Sequence, residues 1–228
     1  MSSGFNELEF SFFEKTFIPL TIEIMRLFPD GFVVGLGIFS LITLSYPYGV
    51  FFGSMIEAGI IFNLLRYFLR WANLSERFGN TAGSESPECN TGGVATFSGL
   101  AMFRYEPYKY PFPSAPIYLL TTAASYIFTT LNAQSKELEA LGPAYSSRYY
   151  VSAILLFLLI GIFACFRFSY SCESFPNIIV SIVIGLIIGA LLVKQNMKFF
   201  GPTSVNLLGI PLLSNRTANG KKLYVCPK

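Results

Sequence analysis

Few side chains in this sequence are of a type and placement that do chemistry. Glu57, Arg66 and Arg70 are ionisable groups in an otherwise apolar stretch. A carboxylate inside hydrocarbon is costly, so Glu57 with Arg66 is a candidate for an ion or substrate route. The competing reading shifts Glu57 to the headgroups and lets the arginines snorkel. The cysteines are Cys89, Cys165, Cys172 and Cys226, and their spacing does not fit zinc. Two apolar runs separate Cys89 from Cys172, which places both on one side of a membrane as a candidate disulfide in an oxidising compartment. Cys165 reads as a small core residue. Cys226 falls on the opposite side, and the glycosylation sequons at Asn73 and Asn215 also lie on opposite sides.

Histidine is absent. That removes imidazole acid–base catalysis, Ser-His-Asp and Cys-His nucleophile pairs, and imidazole metal sites. The sequence also lacks an HxxxxD motif, a phosphate-binding loop and a paired-Asp cluster. The expectation is a protein that is not an enzyme, with no cofactor and no metal.

The elements that position these residues follow from composition. Of 228 residues, 53% are hydrophobic, 17% aromatic and 13% charged, with a formal net charge of +3. Soluble domains carry about a quarter charged residues. An ordinary soluble globular fold is excluded on that ground, and so is a disordered chain. The weak, scattered positive charge does not indicate nucleic acid as a partner.

Uncharged runs cover 31–56, 111–135, 149–166 and 174–193. A helix of about 20 apolar residues crosses a bilayer core, and its backbone groups must bond within the chain. The first run stays apolar beyond Glu57 to Trp71, and one straight helix over it would be about 60 Å, twice the core thickness. Ser45-Tyr-Pro-Tyr-Gly49 is the natural break, because Pro47 removes a donor and Gly49 permits a turn. Two readings follow: a helical hairpin over 24–45 and 50–70, or one kinked span followed by an interfacial helix. The fold class is therefore an all-α integral membrane protein with four to five transmembrane helices.

The chain divides into an amphipathic segment (1–23), the hairpin or kinked span (24–71), an extramembrane loop (72–110), three transmembrane helices (111–193) and a basic tail (194–228). The first segment carries Glu7, Glu9, Glu14 and Glu23 with no basic leader, so it does not read as a cleavable signal. The second half of the loop favours a short β-hairpin. The tail, with Asn219-Gly220 as a tight-turn signal, reads as a small extramembrane cap. Lys198, Arg216, Lys221 and Lys222 are its candidate contacts to lipid headgroups or an acidic partner. Lysine and arginine divide eight to eight across five spans and ten to six across four, which leaves orientation open.

Ser181, Gly185 and Gly189 repeat every four residues, as do Gly31 and Gly35. Such stripes let helices approach closely, within the chain or in helix-mediated self-association.

The C-terminal part, 145–228, carries Tyr145-Ser-Ser-Arg148, Gln195-Asn196, Phe200-Gly-Pro202, Asn206, Gly209-Ile-Pro211 and Gly220-Lys-Lys-Leu-Tyr-Val-Cys226. It resembles small polytopic inner-membrane proteins of large icosahedral DNA viruses, such as those infecting algae. The Ser45-to-Phe52 segment is consistent with the same group. The resemblance implies a structural role in the virion's internal membrane, and in host intracellular membrane during assembly. It implies the bilayer and minor capsid proteins as partners. The rival expectations are a small channel or transporter using Glu57, and a membrane-shaping protein whose early hairpin is a wedge.

Overall fold

Three helices begin with the same local signal. Ser45-Tyr-Pro47, Ser114-Ala-Pro116 and Ser174-Phe-Pro176 each place serine at the N-cap and proline in the first turn. First-turn N–H groups have no intrahelical partner, so proline sacrifices nothing there and presets φ. Only beyond these points can the backbone enter regular helix, and the sequence does so three times.

The computed structural model describes residues 18–74, 89, 112–135, 138–139 and 143–209. Five long helices result: α1 (Ile18–Thr43), α2 (Tyr46–Trp71), α3 (Ala115–Ala133), α4 (Pro143–Ser169) and α5 (Phe175–Phe200). A 3-10 turn, Pro202–Val205, follows Gly201. Gly201 has φ +81°, a left-handed conformation that a side chain would strain.

Two turns reverse the chain through non-glycine residues with positive φ. Leu44 (φ +46°) separates α1 from α2, and Ser171 (φ +56°) separates α4 from α5. At the second, the Cys172 N–H donates to the Arg167 carbonyl (3.0 Å) and the Ser171 N–H to the Phe168 carbonyl (2.9 Å). This is the paired bonding of a Schellman C-cap, with serine where glycine is usual.

Pairings along the helices give their directions. Phe39 meets Tyr48 and Phe32 meets Phe51, so α1 and α2 fold back on one another. Phe51 stacks on Tyr126 and Phe62 meets Tyr118 at a tilt, so α2 runs against α3. Phe128 meets Tyr149, while Phe163 shares a cluster with Ile117 and Leu120, so α4 also runs against α3. Ser114 bonds Ser181 and Ser125 bonds Leu186, so α3 and α5 are parallel. The helices alternate in direction along the chain. One end gathers Ser114, Arg167, Glu173 and Cys89, and is called the cystine end below. The other holds the α1–α2 turn, Gln134 and the 202–209 segment, and is called the hairpin end.

α3 is the centre. It buries 13 of its 19 residues, including Thr121, Thr122, Ser125 and Thr130. The main cluster joins Phe51, Met55, Ala58 and Phe62 of α2, Tyr118, Leu119, Ala123 and Tyr126 of α3, and Leu192 and Val193 of α5.

The described residues are all-helical. Three helical stretches are long and apolar enough to cross a membrane: Tyr46–Trp71, Tyr149–Ser169 and Phe175–Phe200. This is fewer than the four to five expected. In α1 the uninterrupted apolar part is only Gly31–Thr43, because Glu23, Arg26 and Asp30 precede it. In α3 the hydroxyl and amide side chains lower the hydropathy of an uncharged run. The expected β-hairpin in the loop and the Asn219-Gly220 turn lie outside the described residues.

Candidate functional site

The polar side chains collect in two buried clusters, one towards each end of α3. At the cystine end Ser114 caps α3, accepting a hydrogen bond from the Ile117 N–H at 3.4 Å. Its own N–H donates to Ser181 Oγ (2.7 Å), and Ser181 Oγ donates to the Asn177 carbonyl (2.7 Å). The Ser114 hydroxyl donates to Glu173 Oε1. That same oxygen receives Arg167 Nη2 at 2.8 Å and Nε at 3.2 Å. Arg167 Nη1 donates to the Cys89 carbonyl at 3.1 Å.

Arg167 is 2% exposed and Glu173 4%. A buried ion pair is worth its desolvation only when its remaining polar atoms are also bonded. Arg167 meets this by spending three nitrogens on two acceptors. Among the described residues, Glu173 Oε2 has no partner. From sequence both residues read as the charged limits of apolar runs. The structure turns them inward, because the Ser171 turn brings the end of α4 beside the start of α5. A pair of opposite charges across a short inter-helix turn is the signal that would have found them.

Cys89 and Cys172 are joined in a disulfide, with Cα atoms 5.2 Å apart. Cys89 belongs to the long loop, so the bond and the Arg167 contact both hold that loop to the α4–α5 turn. Cys165 does not lie in the core as expected. It is a free, exposed thiol on the outer face of α4. Among its described side chains, α4 buries one narrow stripe, Ile160, Phe163 and Arg167. Cys226 lies outside the described residues.

The second cluster lies nearer the hairpin end. Asn196 Nδ2 donates to Ser54 Oγ (2.7 Å) and to Tyr126 Oη (2.9 Å), which ties α5 to α2 and α3. The next residue, Gln195, donates from Nε2 to Glu57 Oε1 at 2.7 Å. Gln134 Nε2 bonds the Val205 carbonyl (3.1 Å), and Tyr48 Oη bonds the Leu207 carbonyl (2.9 Å). These bonds draw the segment after α5 back over α2 and α3.

Glu57 is half-buried beside the polar end of α5, level with Lys194-Gln195. Arg66 lies further along α2, with its guanidinium 5.3 Å from the Phe62 ring centre. The two are about two and a half helical turns apart, which puts them on opposite faces. The structure does not bring them together.

The stripe Ser181, Gly185 and Gly189 faces α3. A methyl at Gly185 would overlap the Thr121 hydroxyl and approach the Tyr118 carbonyl to 2.8 Å. One at Gly189 would overlap the Thr122 carbonyl and come within 2.7 Å of Ser125 Cβ. α3 thus fills the stripe within the chain. A Cβ at Gly31 or Gly35 would meet nothing within 4 Å. Lys198 is exposed in the last turn of α5. Arg216, Lys221 and Lys222 lie outside the described residues.

No protein-family model, curated protein or solved structure matches this chain.

Proposed function

We propose that the chain is a structural membrane protein that crosses the bilayer with all five helices. One observation carries this reading: charged and polar side chains lie buried beside the apolar core while many large apolar ones face outward. Arg167, Glu173, Asn177, Ser181, Asn196 and Thr121 are buried, while Leu41, Ile42, Leu64, Ile154, Leu155 and Ile187 are exposed. Large exposed apolar area is tolerated where hydrocarbon is the solvent, and polar groups there must be satisfied inside. The inward bonding of α3 supports its crossing as the sheathed central helix. α1 crosses beside α2, with Phe28 and Phe32 packed inward.

The interior is occupied by side chains and tied across at both ends. That favours a fixed framework over a conduit or a catalyst. With five spans, the hairpin-end side carries eight lysines and arginines against three acids, Glu137, Glu139 and Glu57 beside Gln195. Such a face suits anionic headgroups, at about 1 kcal/mol per basic residue, or an acidic protein surface. The resemblance of 145–228 supports a place in the internal membrane of a large icosahedral DNA virus. There the tail, with Lys198, Arg216, Lys221 and Lys222, would tie the bilayer to minor capsid proteins.

The test is to strip purified particles stepwise and follow this chain by quantitative mass spectrometry. Recovery with the internal bilayer and minor capsid proteins, and its loss on truncating the tail, is the expected result. Absence from particles overturns the virion role. Release from membranes by alkaline carbonate overturns the membrane reading altogether.

A further inference from the structure

An apolar cavity lies between the C-terminal half of α3, the N-terminal half of α4 and the segment after α5. Its volume is about 360 Å³, and its walls include Ile127, Leu131, Leu155, Leu156, Leu159 and Leu208. That is within the range of built small-molecule sites. Two hydroxyl residues, Thr130 and Ser152, also line it. Thr130 is 1% exposed, and its hydroxyl has no partner among the described residues. An inward-facing helix threonine ordinarily bonds the carbonyl one turn back. This one is unspent beside a cavity.

We propose that this groove holds one acyl chain of an anionic membrane phospholipid, with its headgroup at the hairpin end beside the start of α4. The inference rests on the membrane-spanning reading. Three features select this occupant. Leu155, 61% exposed, and Leu159 form an open rim on a face that the five-span reading places in hydrocarbon, so the neighbouring molecule is a lipid chain. The polar side chains of its lining are the hydroxyls of Thr130 and Ser152 rather than charges, which suits a chain capped by an ester and glycerol. The five-span reading puts that end on the basic side, and Arg148 precedes Ser152 by four residues in the sequence. A chain moving from bulk lipid into the groove gains no hydrophobic transfer energy. Retention therefore comes from close packing and from the headgroup charge, which makes the site selective for anionic lipid.

The full chain in mild detergent, mixed with equal amounts of phosphatidylglycerol and phosphatidylcholine, is examined by native mass spectrometry. The expected result is one retained phosphatidylglycerol, preferred about fivefold, the equivalent of one basic contact. Leu155→Trp fills the groove and should abolish retention. Ile154→Trp places the same ring on the lipid-facing side of α4 and should leave retention unchanged. Arg148→Gln should keep a bound lipid and lose the preference. Equal retention by Leu155→Trp and the parent chain, or loss in both tryptophan variants alike, overturns the proposal. Carbonate extraction separates the two failures. A chain that stays in the membrane yet retains no lipid defeats the groove alone, and a chain that is released defeats the spanning reading.

Discussion

Arg167 and Glu173 stand six residues apart across the α4–α5 turn, both buried, with Arg167 Nη2 2.8 Å from Glu173 Oε1. The pair closes a set that also holds the α3 N-cap, Ser114, and the loop cysteine, Cys89. Four separate parts of the chain therefore meet at one carboxylate and one guanidinium.

Removing one partner strands the other charge. Arg167→Met should lower stability by about 3–5 kcal/mol, read as a drop in detergent Tm. The double variant Arg167→Met/Glu173→Leu should recover most of that loss. Equal damage in single and double variants would show that the arginine matters through its Cys89 contact instead.

The α3–α5 seam leaves no room at Gly189. Gly189→Val should cost about 1–3 kcal/mol or prevent folding, through overlap with the Thr122 backbone. Gly35→Val, where a Cβ meets nothing, should be neutral. The comparison is made by thermal unfolding in one detergent.

Asn196 bonds two helices with one nitrogen. Buried inter-helix hydrogen bonds in membrane proteins average about 0.6 kcal/mol each. Asn196→Leu should therefore cost about 1 kcal/mol, and Tyr126→Phe roughly half as much. A double-mutant cycle between positions 126 and 196 should show coupling, and additive losses would deny the contact.

Glu57 accepts from Gln195 through Oε1, an atom that glutamine also has. Glu57→Gln should change stability by less than about 0.5 kcal/mol. Reconstituted vesicles should show no ion flux with either form. A flux in the parent chain that Glu57→Gln removes would restore the transport reading.

The Cys89–Cys172 bond closes a loop of 83 positions. Cys89→Ser should slow migration in non-reducing gels and cost about 2–4 kcal/mol in an oxidised preparation. In sealed vesicles, the parent bond should be reduced by an impermeant thiol from one side only, the side opposite Cys226 labelling. Access to both from one side would contradict five spans.

Much of the fold was legible in particular residues. The long uncharged runs ended near the α4 and α5 boundaries, and Pro47 with its neighbours marked the α1–α2 break. These are local effects, namely hydropathy and the missing proline donor. The spacing of Ser181, Gly185 and Gly189 showed that some helix must come close. It did not show which, because a small-residue stripe specifies distance and not a partner. Only packing revealed that α3 fills it.

By itself the sequence determined that this chain is built of apolar helices, where they break, and that imidazole chemistry is beyond it. Those properties depend on each residue and its near neighbours. The tertiary structure decided that α3 is the sheathed centre, that Arg167 and Glu173 face each other rather than water, and that Glu57 meets Gln195 instead of Arg66. The physical reason is that burial and pairing are relations between segments far apart in sequence. A charge beside an apolar run looks the same whether it caps a span or turns inward to meet its opposite.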